Sequence, residues 1–177
     1  MKFAEYIPLA IRTESGRSSG SEQNRLLHAA MGMMTESVEL MDFTDQSNLA
    51  EELGDICWYI AIAVDTIKPV DFEPVCTKVF DRLGQGVAIR NLCQQSSYLL
   101  DMTKKNVFYG LQIDKVAFSQ TCQLMVELIK SLCNMSGIQF TNVLAANIRK
   151  LRVRYPEKFT DELAVNRDLA SEKQALA

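Results

Sequence analysis

Apolar residues recur at intervals of three and four along almost the whole chain, and no stretch shows the alternating, β-branched pattern of a strand. The pattern therefore predicts an all-α fold. The predicted helices cover residues 3–12, 21–41, 49–67, 71–83, 87–105, 114–135, 140–154 and 160–177. Polar breaks are expected at residues 13–20, 42–48 and 106–110. Lys68-Pro69 ends the third helix, because proline disfavours a helical conformation at the preceding residue.

The chain is also predicted to contain an internal repeat within one domain that covers residues 1–177. The two halves and a helical tail correspond to about residues 22–84, 87–154 and 160–177. Glu52–Leu83 aligns without gaps with Gln120–Leu151, and each segment has the order helix, break, helix. The alignment places Asp55 opposite Gln123, so the halves would differ in chemistry and one chain would imitate a dimer with a single acidic site. Chance similarity between two amphipathic hairpins is the alternative.

The composition excludes several classes of partner and location. A chain of 177 residues with 47% hydrophobic content can bury one good core. Its net charge of −3 provides no cationic field for a long nucleic acid or an anionic membrane surface. The N-terminal segment lacks a sustained apolar run, and the longest such run, Ile56–Val64, is too short to cross a membrane. A soluble cytoplasmic protein is therefore expected.

The cysteines are odd in number and far apart, and they never approach the spacing of zinc or redox motifs. Most lie in apolar helical surroundings. We therefore expect reduced core thiols at Cys57, Cys76, Cys93, Cys122 and Cys133.

Four acidic residues form two pairs in consecutive predicted helices. Glu36 and Glu39 are three apart, as are Glu52 and Asp55, so each pair lies on one side of its helix. The first pair taken alone is typical of a solvated acidic face, with His28 on the same side. The opposite side is apolar and is expected to contain Ala30, Met33, Met34, Val38 and Met41.

The second pair leads directly into Ile56–Val64, which is apolar around its whole circumference and is therefore predicted to be buried. Glu52 and Asp55 would then point into one end of a helix bundle. Carboxylates without partners in such a place cost several kcal/mol or become protonated, and few basic residues are expected nearby. Mg²⁺, with Mn²⁺ as the alternative, takes oxygen ligands and shares its coordination with substrate phosphates. The pairs therefore predict a metal site that cleaves a phosphate ester or anhydride.

The pattern Glu36-x-x-Glu39, twelve residues, Glu52-x-x-Asp55 resembles the signature of the MazG-like all-α NTP pyrophosphohydrolases. The resemblance extends to the residues from His28 to Gly32 and to Glu52-Leu-Gly-Asp-Ile-Cys-Trp-Tyr. A second block, Asn147–Phe159, is similar to the stretch that closes the domain in many members. The chain departs from the family in having Thr35 where members often have a glutamate, and in the long segment before the second block.

The resemblance implies a helix bundle of this family's type and a Mg²⁺-dependent conversion of (d)NTP to (d)NMP and pyrophosphate, for control or cleaning of the nucleotide pool. Glu36, Glu39, Glu52 and Asp55 would bind the metal. One residue of the first pair would also position or deprotonate the attacking water. A homo-oligomer is compatible with the resemblance, although an internal repeat would change how such an oligomer is built.

Further residues are candidates for substrate binding. Asn147, Lys150 and Arg154 recur at i, i+3 and i+7, so one helical stripe presents an amide and two cations to triphosphate oxygens. A solvated basic helix end is the alternative. Tyr155 either hydrogen-bonds phosphate or packs at the turn before Pro156.

Trp58 is a candidate wall for the base, with core packing as its alternative. His28, the only histidine, either touches the substrate or makes a polar contact between helices. Two other functions also compete with the enzyme. One is a nucleotide-binding regulator that has lost turnover, and the other is an interaction protein, which would leave the inward-facing Glu52 and Asp55 unexplained.

Overall fold

The computed structural model describes residues 1–16, 20–70, 72 and 84–176, and every regular element in these ranges is a helix, as the periodicity predicts. The helices are α1 (Phe3–Ile11), α2 (Glu22–Glu39), α3 (Gln46–Ile67), α4 (Gln85–Tyr109), α5 (Lys115–Met135), α6 (Phe140–Arg154), α7 (Asp161–Val165) and α8 (Leu169–Gln174). A 3-10 turn, Leu40–Asp42, follows α2.

Short polar side chains begin several of these helices. Ser21, Asp45 and Asp114 accept hydrogen bonds from backbone N–H groups in the first turns of α2, α3 and α5. Such caps satisfy N–H groups that have no partner inside the helix. The end of α3 is also determined by neighbouring residues, because Lys68 adopts a left-handed conformation with φ of 51° directly before Pro69.

The largest differences from the predicted boundaries lie at the end of α4 and after Thr160. The break expected from Asn106 begins later, because α4 continues to Tyr109 and ends at Gly110, whose φ of 68° favours a residue without a Cβ. The single helix expected from Thr160 onward is two short ones, since Thr160 caps α7 and Asp168 caps α8. The helix expected at residues 71–83 lies outside the described residues, so the internal repeat stays a prediction.

The central element of the bundle is α3, which packs against α1, α2, α5 and α6, while α4 packs against α2 and α5. The apolar run in α3 is buried as expected, except that Trp58 and Tyr59 remain partly exposed. The expected apolar side of α2 and the following 3-10 turn is wrong at two positions, since Val38 and Met41 are 43% and 64% exposed. Ser37 is buried instead and shares a hydrogen bond of 2.9 Å with Ser96 of α4.

The described cysteines are all free. Cys57, Cys122 and Cys133 are buried and Cys93 is partly exposed, whereas Cys76 lies outside the described residues. Burial raises the pKa of each of the four thiols. Among the described helices, none has both the length and the apolar character that a membrane crossing needs.

Candidate active site

Three carboxylates from two neighbouring helices converge at one end of the bundle. Glu36 and Glu39 of α2 and Glu52 of α3 each place an oxygen within 4.8 Å of the other two. The chain reverses direction between α2 and α3, which brings the last turn of one beside the first turns of the other. Oxygens around one Mg²⁺ lie roughly 3–4 Å apart, so small side-chain rotations would allow all three to reach one cation.

The electrostatics of this cluster show an excess of negative charge. Burial raises the pKa of Glu36 to about 8, with repulsion from Asp55, Glu39 and Glu52 as further causes. Burial also raises the pKa of Glu52, although a hydrogen bond of 2.8 Å from Asn48 opposes the shift. The donor atoms are all oxygens, and among the described residues no cation forms an ion pair with Glu36, Glu39 or Glu52, which is the chemistry that fits a hard divalent cation.

The fourth acidic residue, Asp55, faces a different partner. Lys150 Nζ of α6 lies 2.7 Å and 2.5 Å from the two carboxylate oxygens of Asp55, and 3.2 Å from Glu51 Oε1. Lys150 is only 1% exposed, whereas the Asp55 side chain is 26% exposed, so the lysine end of this ion pair is removed from water and the carboxylate end is partly open to it. The expectation that few basic residues lie near the acids is therefore wrong for Asp55, because α6 brings a distant lysine to it.

A buried chain of hydrogen bonds completes the surroundings of Asp55. Asn147 Nδ2 donates to Asp55 Oδ1 at 2.8 Å, and Tyr6 of α1 donates through its hydroxyl to Asn147 Oδ1 at 2.7 Å. The close approach of α6 to α3 requires a small residue at Gly54, where a Cβ would lie 3.0 Å from Asn147 Cβ. The sequence analysis did not find Tyr6, and no local pattern marks it.

The carboxylates line a cleft of about 460 Å³, a size that suits a small-molecule ligand. Four of the other predicted substrate-binding residues also line this cleft: His28, Trp58, Arg154 and Tyr155. Asn147 and Lys150 do not, since they are 2% and 1% exposed and contact Asp55. Of the three residues in the predicted phosphate-binding stripe, Asn147 and Lys150 are therefore buried, and Arg154 lines the cleft.

One wall of the cleft is aromatic. The rings of Trp58 and Tyr59 meet edge to face with centroids 4.8 Å apart, and the His28 ring lies 5.4 Å from that of Tyr59. Trp58 Nε1 donates to Thr13 Oγ1 at 2.9 Å, which fixes the indole. Gly32 allows this arrangement, because a Cβ there would lie 2.1 Å from the Tyr59 ring. Burial lowers the pKa of His28, so the imidazole is neutral near pH 7.

The cleft is also lined by two arginines that share one carboxylate. Glu172 of α8 is 3% exposed and accepts hydrogen bonds from Nε and Nη2 of both Arg154 and Arg167. Both arginines line the cleft. The sequence analysis missed Arg167 and Glu172, which lie in the helical tail and belong to no motif.

No family model, no curated protein and no solved structure matches this chain closely enough to indicate a relationship. The resemblance to the MazG-like pyrophosphohydrolases therefore depends on the motif residues alone. The function has to be argued from the chemistry of the cleft.

Proposed function

We propose that this chain is a Mg²⁺-dependent pyrophosphohydrolase that converts a nucleoside triphosphate to its monophosphate and pyrophosphate. One observation carries the proposal: a single cleft combines a cluster of metal-binding carboxylates, a pair of arginines and an aromatic wall. These three features complement a divalent cation, a polyphosphate and a nucleobase, respectively.

Glu36, Glu39 and Glu52 are the residues that would hold the cation. When bound, it would offset negative charge on the phosphates and lower the pKa of the attacking water. Asp55 adds negative charge beside this group, but its two oxygens are already hydrogen-bonded by Lys150 and Asn147. It is therefore better placed to fix the spacing between α3 and α6 than to supply a full set of metal-ligand bonds.

A carboxylate of the first pair is the proposed base. In the reaction, a water oxygen forms a bond to the α-phosphorus, the bond from that phosphorus to the bridging oxygen breaks, and pyrophosphate leaves with the electron pair. The water proton passes to Glu36 or Glu39. The raised pKa of metal-free Glu36 makes its ionised form a stronger base than an ordinary glutamate, so once ionised it is suited to accept this proton.

The other cleft residues would bind and orient the substrate. Arg154 and Arg167 carry charge suited to phosphate oxygens, because guanidinium groups form paired, charge-assisted hydrogen bonds with them. Trp58 and Tyr59 offer ring surfaces for stacking of the base. These contacts do not select one base over another.

The proposal is tested by incubating the purified protein with NTPs and dNTPs in Mg²⁺ or in EDTA, with pyrophosphate and phosphate measured separately. We expect pyrophosphate as the first product in Mg²⁺ only, and a loss of at least about hundredfold in kcat/KM for Glu52→Gln. Glu22→Gln, an exposed glutamate of α2, is the matched control. Phosphate as the first product, or turnover in EDTA, would contradict the proposal.

A nucleotide-binding regulator is the second candidate, favoured by the pairing of Asp55 with Lys150, which leaves three carboxylates for a metal. The same experiment separates the two functions. Mg²⁺-dependent binding of a nucleotide without release of pyrophosphate would favour the regulator.

A further inference from the structure

The helical tail contributes a buried carboxylate, Glu172, that contacts two arginines of the cleft lining. Glu172 Oε1 accepts from Arg154 Nε at 3.0 Å and from Arg167 Nε at 3.3 Å. Glu172 Oε2 accepts from the Nη2 atoms of both arginines, at 2.7 Å in the case of Arg167. A second contact, from Arg149 Nε to the carbonyl oxygen of Ala175 at 2.9 Å, fastens α8 to α6.

The charges of Glu172, Arg154 and Arg167 do not cancel, in contrast to those of a simple ion pair. One carboxylate faces two guanidinium groups, so one positive charge is left over at the edge of the cleft. Both guanidiniums use their Nε–Nη2 edges on Glu172. Within the described ranges, the Nη1 atom of neither arginine has a protein acceptor. Arg154 and Arg167 therefore retain N–H donors and surplus charge in a cleft that they both line.

We propose that Glu172 is a positioning residue that holds Arg154 and Arg167 together as a binding site for the polyphosphate chain of the substrate. This inference rests on the proposed function and extends it, because it makes α8 part of the substrate site. Two guanidiniums repel each other unless an anion lies between them. Glu172 supplies that anion on the protein side, and the phosphates would occupy the free donors on the other.

The same geometry argues against Glu172 as a competitor that blocks the arginines. A competitor would occupy all the donors, whereas Glu172 accepts from Nε and Nη2 only, leaves Nη1 of both arginines free among the described residues, and is itself 3% exposed. The side chains of Arg154 and Arg167 are 17% and 39% exposed, so solvent reaches the arginines but not Glu172.

The test uses the full-length protein and inorganic tripolyphosphate with Mg²⁺ as the probe, measured by isothermal titration calorimetry. Arg167→Ala should weaken tripolyphosphate binding by about tenfold, the value expected for one partly exposed charge-assisted contact. Glu172→Gln should weaken it by a similar factor, because the amide's N–H₂ group meets guanidinium donors. Lys173→Ala, which removes an exposed cation from the same helix, is the matched control and should bind like wild type.

Steady-state kinetics with the best nucleotide substrate supply the second readout. Both variants should raise KM by about tenfold and change kcat by less than about twofold, since the contact is made in the ground state and in the transition state. Thermal melting shows whether each variant is folded. A folded Arg167→Ala is sufficient for the test, even if the buried position of Glu172 tolerates no change.

The outcomes separate this inference from the proposed function. If wild type releases pyrophosphate and both variants keep wild-type KM and tripolyphosphate affinity, the inference fails and the function stands. Tighter binding by Glu172→Gln would also overturn it, because Glu172 would then compete with phosphate. If wild type neither binds tripolyphosphate nor cleaves a nucleotide, both proposals fail.

Discussion

The charge of Glu36 should destabilise the protein when no cation is bound, so removing that charge should stabilise the metal-free fold. Glu36 is partly buried beside Glu39 and Glu52, and Asp55 adds further repulsion. Glu36→Gln keeps the size of the side chain and removes its charge. We therefore expect the variant to be more stable than wild type in EDTA near pH 8, which is the reverse of the usual effect of a mutation in a cleft.

The structure sets the magnitude of this effect. A pKa of about 8 in place of the ordinary 4.5 corresponds to an upper limit of roughly 5 kcal/mol for the unfavourable ionisation. Because the carboxylate remains partly open to solvent, screening reduces this value, and we expect about 2 kcal/mol. For a chain of this size, such a gain raises Tm by about 4–8 °C.

The pH dependence has a definite sign. An unfolded glutamate ionises near pH 4.5, whereas folded, metal-free Glu36 keeps its proton up to about pH 8. Between these values the folded state binds more protons than the unfolded state, so this group lowers the stability of wild type as pH rises. Below about pH 4.5 the group has no effect, and above about pH 8 the full cost is present. Glu36→Gln should lack this decline.

Thermal melting by circular dichroism at about pH 5 and pH 8, in EDTA and in Mg²⁺, measures both effects. Mg²⁺ should raise the Tm of wild type more at pH 8 than at pH 5, and should raise that of Glu36→Gln less. Glu157→Gln, which alters an exposed glutamate outside the helices, should match wild type throughout. A Glu36→Gln variant that is no more stable than wild type in EDTA at pH 8 would refute the reasoning.

Three further changes test the surroundings of the carboxylates. Asp55→Asn should lower the free energy of unfolding by about 2 kcal/mol, because the buried Lys150 loses its two shorter contacts and keeps only Glu51, at 3.2 Å. Wild-type stability in urea denaturation would contradict this. Gly32→Ala should push the Tyr59 ring into the cleft, because the new Cβ would lie 2.1 Å from it. The variant should raise KM severalfold and change the fluorescence emission of the single tryptophan. A stabilised variant with unchanged KM would show that the ring is not displaced. Tyr6→Phe should cost about 1 kcal/mol by leaving an amide oxygen unpaired, and an unchanged urea midpoint would exclude that role.

Much of the helical fold is predictable because its signals are local. The spacing of apolar residues and the capping side chains at Ser21, Asp45 and Asp114 depend on only a few neighbouring positions. The side of α2 that is buried is less predictable, since Val38 and Met41 are apolar yet exposed. Burial there depends on how α3 and α4 are placed, which the sequence of α2 does not specify.

Parts of the candidate site are likewise predictable from local sequence, and other parts depend on tertiary packing. The i, i+3 spacing predicts that Glu36 and Glu39 share a side of α2, and the structure brings Glu52 to them. The partner of Asp55 is not predictable, because Lys150 lies on α6, 95 positions further along the chain. Glu172 and Arg167 are not predictable for a related reason. In the sequence of a polar tail they resemble solvated residues, and their contact depends on the packing of α8 against α6.

The placement of α6 links the two ends of the cleft. Its stripe of polar residues begins with Asn147 and Lys150, which are buried against Asp55, and continues with Arg154, which lines the cleft one turn later. The ion pair between Lys150 and Asp55 therefore fixes α6, the helix that carries Arg154 to the cleft. We therefore expect Lys150→Ala to weaken the packing of α3 with α6 and to reduce the affinity for a nucleoside triphosphate and a nucleoside alike. Arg154→Ala should reduce triphosphate affinity and spare the nucleoside, and equal losses for both ligands in isothermal titration calorimetry would contradict the phosphate contact.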